Sequence, residues 1–133
     1  MGKMTTMLAA LSNSLLSPDP ETRMSAAWAV LEAAGAAALA IEHGPGALAA
    51  LAAYDHALEA RDLLPFPQDE PELPALWDAD STKALGRLLE VVAVEMGNDA
   101  QAATEPGTAH RLSRAALLAR QAGQALTAAG AAA

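Results

Sequence analysis

Leucine and alanine recur at helical spacing through almost the whole chain, and short clusters of proline, glycine and aspartate interrupt them. Apolar residues at i, i+3, i+4 and i+7 define one face of a helix. On that basis the pattern predicts five helices. The first spans residues 5–16 and stops at Ser17-Pro18-Asp19-Pro20. Asp19 then caps a second helix with Pro20 at its first position, a placement that suits both residues. This helix runs to His43, where Gly44-Pro45-Gly46 breaks it. The third helix covers residues 47–64. Residues 65–80 follow as a proline-rich loop, because Pro65, Pro67, Pro71 and Pro74 forbid a helix there. Asp80 or Ser81 caps a fourth helix that reaches Met96, with Gly97-Asn98 as its stop. Residues 99–105 supply a short turn. Pro106-Gly107-Thr108 opens a fifth helix that runs to Ala129, and residues 130–133 fray. The expected fold is all-α: a single domain over residues 1–133, built as a four- or five-helix bundle. Its helices are mostly antiparallel, with a proline-rich crossover between helices three and four.

The helix faces differ in kind. Helix four carries Leu85, Leu88, Leu89, Val92 and Met96 in one stripe, with Val94 on the polar side beside Lys83 and Arg87. Helix two is apolar all round, as befits a helix surrounded by neighbours. Met24, Trp28, Leu31 and Gly35 share one side, and Ala26, Ala29, Ala33, Ala36 and Ala40 the other. Helix five has a small face of Ala115, Ala116, Ala119, Ala122 and Gly123, bounded by Leu112 and Leu126, with Leu117 on its polar side. The small faces of helices two and five are expected to meet each other or a symmetry mate. In helix three the apparent apolar stripe is Leu48, Leu51 and Leu58.

Composition sharpens this picture. Apolar residues make up 53% of the chain and aromatic ones 3%, so the residues that favour strands are scarce. The net charge of −8 disfavours nucleic acid, whose phosphates would be repelled. With no cysteine, disulfides, thiol catalysis and cysteine zinc sites are excluded. Arginine outnumbers lysine among an excess of alanine, which suggests a GC-rich bacterial source. The run from Met24 to Ile41 is long enough for a membrane span. It contains Glu32 and is mostly alanine, so a buried helix explains it better. Met1 and Met4 are both open as the start, Met1–Lys3 being an expression-tag remnant in the second case, and Leu8 to Leu16 lacks a clear signal-peptide core. The expected compartment is the cytoplasm.

Candidate chemistry centres on helix three. Asp55, Glu59 and Asp62 have i, i+4, i+7 spacing on the side of the leucine stripe. Carboxylates inside an apolar stripe are costly unless paired with arginines or bound to a metal. Mg or Mn is the metal such a set would take, since helical bundles hold di-metal centres with facing carboxylates. Tyr54 and His56 on the same helix, with Trp77 on the loop beside Phe66 and Leu76, are the candidate ligand-binding residues. His43, His56 and His110 form no HxxxH or ExxH pair. No nucleophile elbow, phosphate loop or catalytic triad spacing is present, so no catalytic residue is assigned.

Three stretches resemble known families. Leu15-Leu16-Ser17-Pro18-Asp19-Pro20-Glu21-Thr22-Arg23, followed by Ala26, Ala27 and Leu31, resembles a HEAT repeat, which implies a stacked helical scaffold. The later helices do not repeat it at a constant period. Glu59-Ala60-Arg61-Asp62 is similar to the ExxD half-motif of MazG-like nucleotide pyrophosphohydrolases. No ExxE lies on a preceding helix; Asp69 to Glu72 is the nearest spacing and falls in the proline loop. Ala109-His110-Arg111-Leu112-Ser113-Arg114 is similar to the AHxLKG segment of histidine-phosphotransfer domains. Ser113 replaces its lysine, Arg114 its glycine, and too little chain follows for two more helices.

The sequence therefore points to a non-catalytic helical module for protein interaction or oligomerisation. Its partner is a second copy, giving a homodimer, or another protein, with neither nucleic acid nor membrane involved and no cofactor required. The alternative is a ligand- or divalent-metal-binding bundle, or a hydrolase, that uses the helix-three carboxylates.

Overall fold

The computed structural model describes residues 2–41, 43–67 and 77–132. Most of the proline-rich loop, with Leu76, lies outside them. Among the described residues there are five helices and no strand. They are α1 (Gly2–Leu15), α2 (Pro20–Leu39), α3 (Ala47–Asp62), α4 (Ala79–Ala102) and α5 (Pro106–Ala132). No helix among the described residues is long and apolar enough to cross a membrane.

The start of α2 follows the sequence signal. The Asp19 carboxylate accepts the Thr22 N–H at 3.3 Å and the Thr22 hydroxyl at 2.7 Å, and Pro20 opens the helix. The bond from the Thr22 hydroxyl, reinforced by backbone N–H groups, holds the Asp19 carboxyl below its usual pKa. The start of α4 does not follow its signal. Its cap is Asp78, not Asp80 or Ser81: the Asp78 carboxylate accepts the Ser81 N–H at 2.7 Å, and the Thr82 hydroxyl donates to the Asp78 carbonyl at 2.9 Å.

Nor does α4 stop at Gly97-Asn98. It continues to Ala102, absorbing most of the predicted short turn. Glycine inside a helix costs about 1 kcal/mol relative to alanine. The extra turn is tethered by Asp99, whose carboxylate takes the Arg23 guanidinium at 2.6 Å and 3.3 Å, while Arg23 also donates to the Ser17 carbonyl at 2.8 Å. The side-chain bond to Asp99 outweighs burial and holds the Arg23 pKa above its ordinary value. This half-buried pair ties the α1–α2 joint to the end of α4.

One continuous set of buried residues runs through the molecule. The α4 stripe of Leu85, Leu88, Leu89, Val92 and Met96 lies in it, and Trp28 is buried too. Helix α2 is buried on most sides from Ala26 to Ala38, with Glu32 and Ala36 half-buried, and it packs on α1, α3 and α4. The small face of α5 is covered within the chain. Ala115, Ala119 and Ala122 are fully buried, and α5 packs along α3 and α4 with only marginal contact to α2. The expected meeting of the α2 and α5 small faces is therefore replaced by α5 lying on α3 and α4.

Close approach of backbones explains this. At the α4–α5 crossing Gly86 and Gly123 face each other. A Cβ on Gly123 would lie 3.2 Å from the Leu89 Cβ and 3.4 Å from the Gly86 carbonyl oxygen. At the other side of α5, Gly46 leads into α3, and a Cβ there would overlap the Ala129 carbonyl. Only small residues fit such seams.

Candidate functional site

The packing of α3 sets the character of the molecular surface. Its buried residues are Ala50, Ala53, Ala57 and Ala60, the alanine face, not the leucine stripe that sequence pattern favours. Leu48 is 81% exposed and Leu51 56% exposed, while Leu58 is half-buried. The reason is steric. The seams of α3 with α2 and α5 are narrow, an alanine fits them, and a leucine would force the helices apart. The carboxylates on the leucine side consequently stand in water, without the cost of an apolar stripe.

Next to these leucines the chain turns from α2 into α3. The last turn of α2 closes with the Ile41 N–H on the Ala38 carbonyl at 3.0 Å. Gly44 adopts φ of 89°, a left-handed conformation that side-chain-bearing residues disfavour. The Ala47 N–H returns to the Gly44 carbonyl at 3.2 Å. The turn leaves Leu39 54% exposed at the end of α2. Leu39, Ile41, Pro45, Leu48, Leu51 and Tyr54 line an open groove of about 570 Å³ at this joint. No charged side chain lines it among the described residues.

Of the three candidate ligand-binding residues, Tyr54 is in the groove wall and neither His56 nor Trp77 lines it. His56 is half-buried on the opposite side of α3 from Tyr54. Trp77 precedes α4 and packs on the core, and its buried Nε1–H finds no acceptor among the described residues. Phe66 packs edge-on against Trp28, with ring centroids 5.0 Å apart.

The three candidate metal ligands have separate fates. Asp62 accepts Arg61 at 2.9 Å, and the same guanidinium reaches Glu32 at 3.0 Å with its carbon 5.7 Å from the Trp28 ring centre. Burial works against the Arg61 charge, but the bond to Asp62 and the charge of Glu32 prevail and hold its pKa above the ordinary value. Glu59 accepts Arg114 of α5 at 2.8 Å. Asp55 is exposed. Among the described residues no three His, Asp or Glu side chains stand close enough to hold a metal ion. His43, beyond the end of α2, and His110 are exposed.

Sequence pattern placed Leu48 and Leu51 inside, and so missed them as surface residues. The signal was present: alanines 50, 53, 57 and 60 have helical spacing too, and the carboxylates accompany the leucines. No protein-family model, curated protein or solved structure matches the chain. Function is therefore read from its own residues.

Proposed function

We propose that the protein is a non-catalytic helical interaction module that forms a homodimer through the groove at the α2–α3 joint. In this reading the helices form a mostly antiparallel bundle, with the proline-rich segment crossing from α3 to α4. The seating of Gly46 on Ala129 and of Glu59 on Arg114 supports that arrangement for α3 and α5.

The observation that carries the reading is the exposure of Leu39, Leu48 and Leu51 around one groove that no charged side chain lines among the described residues. Contiguous exposed apolar surface marks an interaction site. Leu48 stands out from the rim beside a recess walled by Ile41 and Tyr54. A two-fold dimer places the same patch on both copies, so each Leu48 enters the groove of the other. Two chains of charge −8 repel, which makes an uncharged contact the favourable one.

Sedimentation equilibrium tests this directly. The wild type is expected to dimerise, and more tightly as salt screens the repulsion. Leu48→Glu is expected to be monomeric with an unchanged far-UV circular dichroism spectrum. A wild type that stays monomeric at high salt, or a dimer indifferent to Leu48→Glu, would overturn the proposal.

A further inference from the structure

Among the described residues, four of the five helices are fastened to a neighbour and α1 is not. The Arg23–Asp99 pair joins α2 to α4, the Arg61–Glu32 pair joins α3 to α2, and the Arg114–Glu59 pair joins α5 to α3. The close Gly86–Gly123 crossing holds α4 on α5. Residues 4–15 of α1 carry no charged side chain, and none of their side chains makes a hydrogen bond among the described residues. Helix α1 packs on α2 and α4 alone. Met4, Met7, Leu8 and Leu11 are half-buried, and Leu15 in the last turn is the one fully buried residue among residues 4–15. An open groove borders α1 against each neighbour. One, of about 460 Å³, is lined by Leu8 and by Leu88 and Val91 of α4. The other, of about 470 Å³, is lined by Leu11 and Ser14 and by Ser25 and Ala26 of α2.

The chain just beyond α1 is held firmly. Arg23 donates to the Ser17 carbonyl at 2.8 Å and Asp19 caps α2, so from Ser17 onward the backbone is fixed to α2 and, through Asp99, to α4. We infer that α1 is a releasable cover: it leaves α2 and α4 as one unit, hinged between Leu15 and Ser17, while α2–α5 stay folded, and it bares Leu88 and Val91 of α4. Local opening takes the least anchored unit first. Release breaks no ion pair and no side-chain hydrogen bond; it costs only the burial of a half-covered apolar stripe. The freed segment then melts, because a helix of 14 residues is marginal alone and Thr5, Thr6, Ser12, Asn13 and Ser14 are poor helix formers. Seat and helix are lost together, so the step is all-or-none over residues 4–15. The α1–α2 joint lies at the opposite end of α2 from the Leu48 groove, so release is independent of the proposed homodimer. The apolar strip of α4 is available only in the open state, and α1 controls access to it.

Hydrogen exchange of the full chain, read amide by amide by NMR, tests this. The amides of Met7 to Leu15 are expected to share one protection level, about a hundredfold or more below that of Leu85 to Met96. Leu126→Val removes a buried methylene from α5, which α1 does not touch. It should speed exchange in α4 and α5 about tenfold and leave α1 unchanged, because the closed and released states are weakened equally. Leu11→Ala should speed exchange in α1 about tenfold. Protection of α1 equal to that of α4, or a tenfold gain in α1 with Leu126→Val, would show that α1 opens only with the whole fold and would overturn the inference. So would protection that falls steadily from Leu15 to Met7, the mark of fraying, or an α1 indifferent to Leu11→Ala.

Discussion

Helices α3 and α4 use the same ingredients in opposite ways. In α4 Leu85, Leu88, Leu89, Val92 and Met96 point inward, and Lys83, Arg87 and Glu90 outward. In α3 alanine points inward, and two leucines face water beside three carboxylates. The difference is not in hydrophobicity but in the width of the space each helix faces. The core beside α4 has room for Leu85, Leu89 and Met96, all fully buried. The seams beside α3 are filled mainly by alanine methyl groups, with Leu58 half-buried against Gly35 of α2. Burying a leucine side chain is worth about 1.5–3 kcal/mol. Leu48 and Leu51 forgo most of that on folding, so it is available to whatever covers them. The α3 arrangement thus leaves apolar surface outside the fold, where the proposed homodimer would use it, and α4 does the reverse.

Substitutions that treat the two helices alike should give unlike results. Leu89→Ala in α4 empties a filled site in the core and is expected to cost about 2–5 kcal/mol in urea denaturation. Ala57→Leu in α3 places a large side chain in a narrow seam and is expected to cost about 1–3 kcal/mol. Its thermal melt should show the loss even though the change adds apolar surface. A neutral or stabilising Ala57→Leu would mean that the seam is wider than the buried alanines imply.

The same contrast explains what the sequence could convey. The interior of α4 was legible because one face is apolar and the other charged, so only one orientation is sensible. The exposure of Val94 and Leu117 followed from that logic. In α3 two faces compete at the same period, Leu48-Leu51-Leu58 and Ala50-Ala53-Ala57-Ala60. Choosing between them requires knowing how near α2 and α5 come, which is a property of the neighbours. The small face of α5 was legible as small, but its partners α3 and α4 were not. The Asp19 cap was legible because Pro20 follows it directly. The Asp78 cap was obscured by Asp80 and Ser81, equally good capping residues two and three positions on. The continuation of α4 past Gly97 depends on a pairing between Asp99 and Arg23, which are far apart in sequence. Of the candidate site, Tyr54 was named but its groove was not, because the groove is made by the turn at Gly44 and by which face of α3 looks outward.

The most direct test of the account is the stability of Leu48→Gln/Leu51→Gln at a chain concentration where the wild type is monomeric. Glutamine matches leucine in helix propensity, so the change removes apolar side chains and little else. If α3 buries its alanines, the unfolding free energy should stay within about 0.5 kcal/mol of the wild type, as for a surface change. A loss of about 2 kcal/mol or more, comparable with Leu89→Ala, would show that these leucines are core residues and would contradict the account.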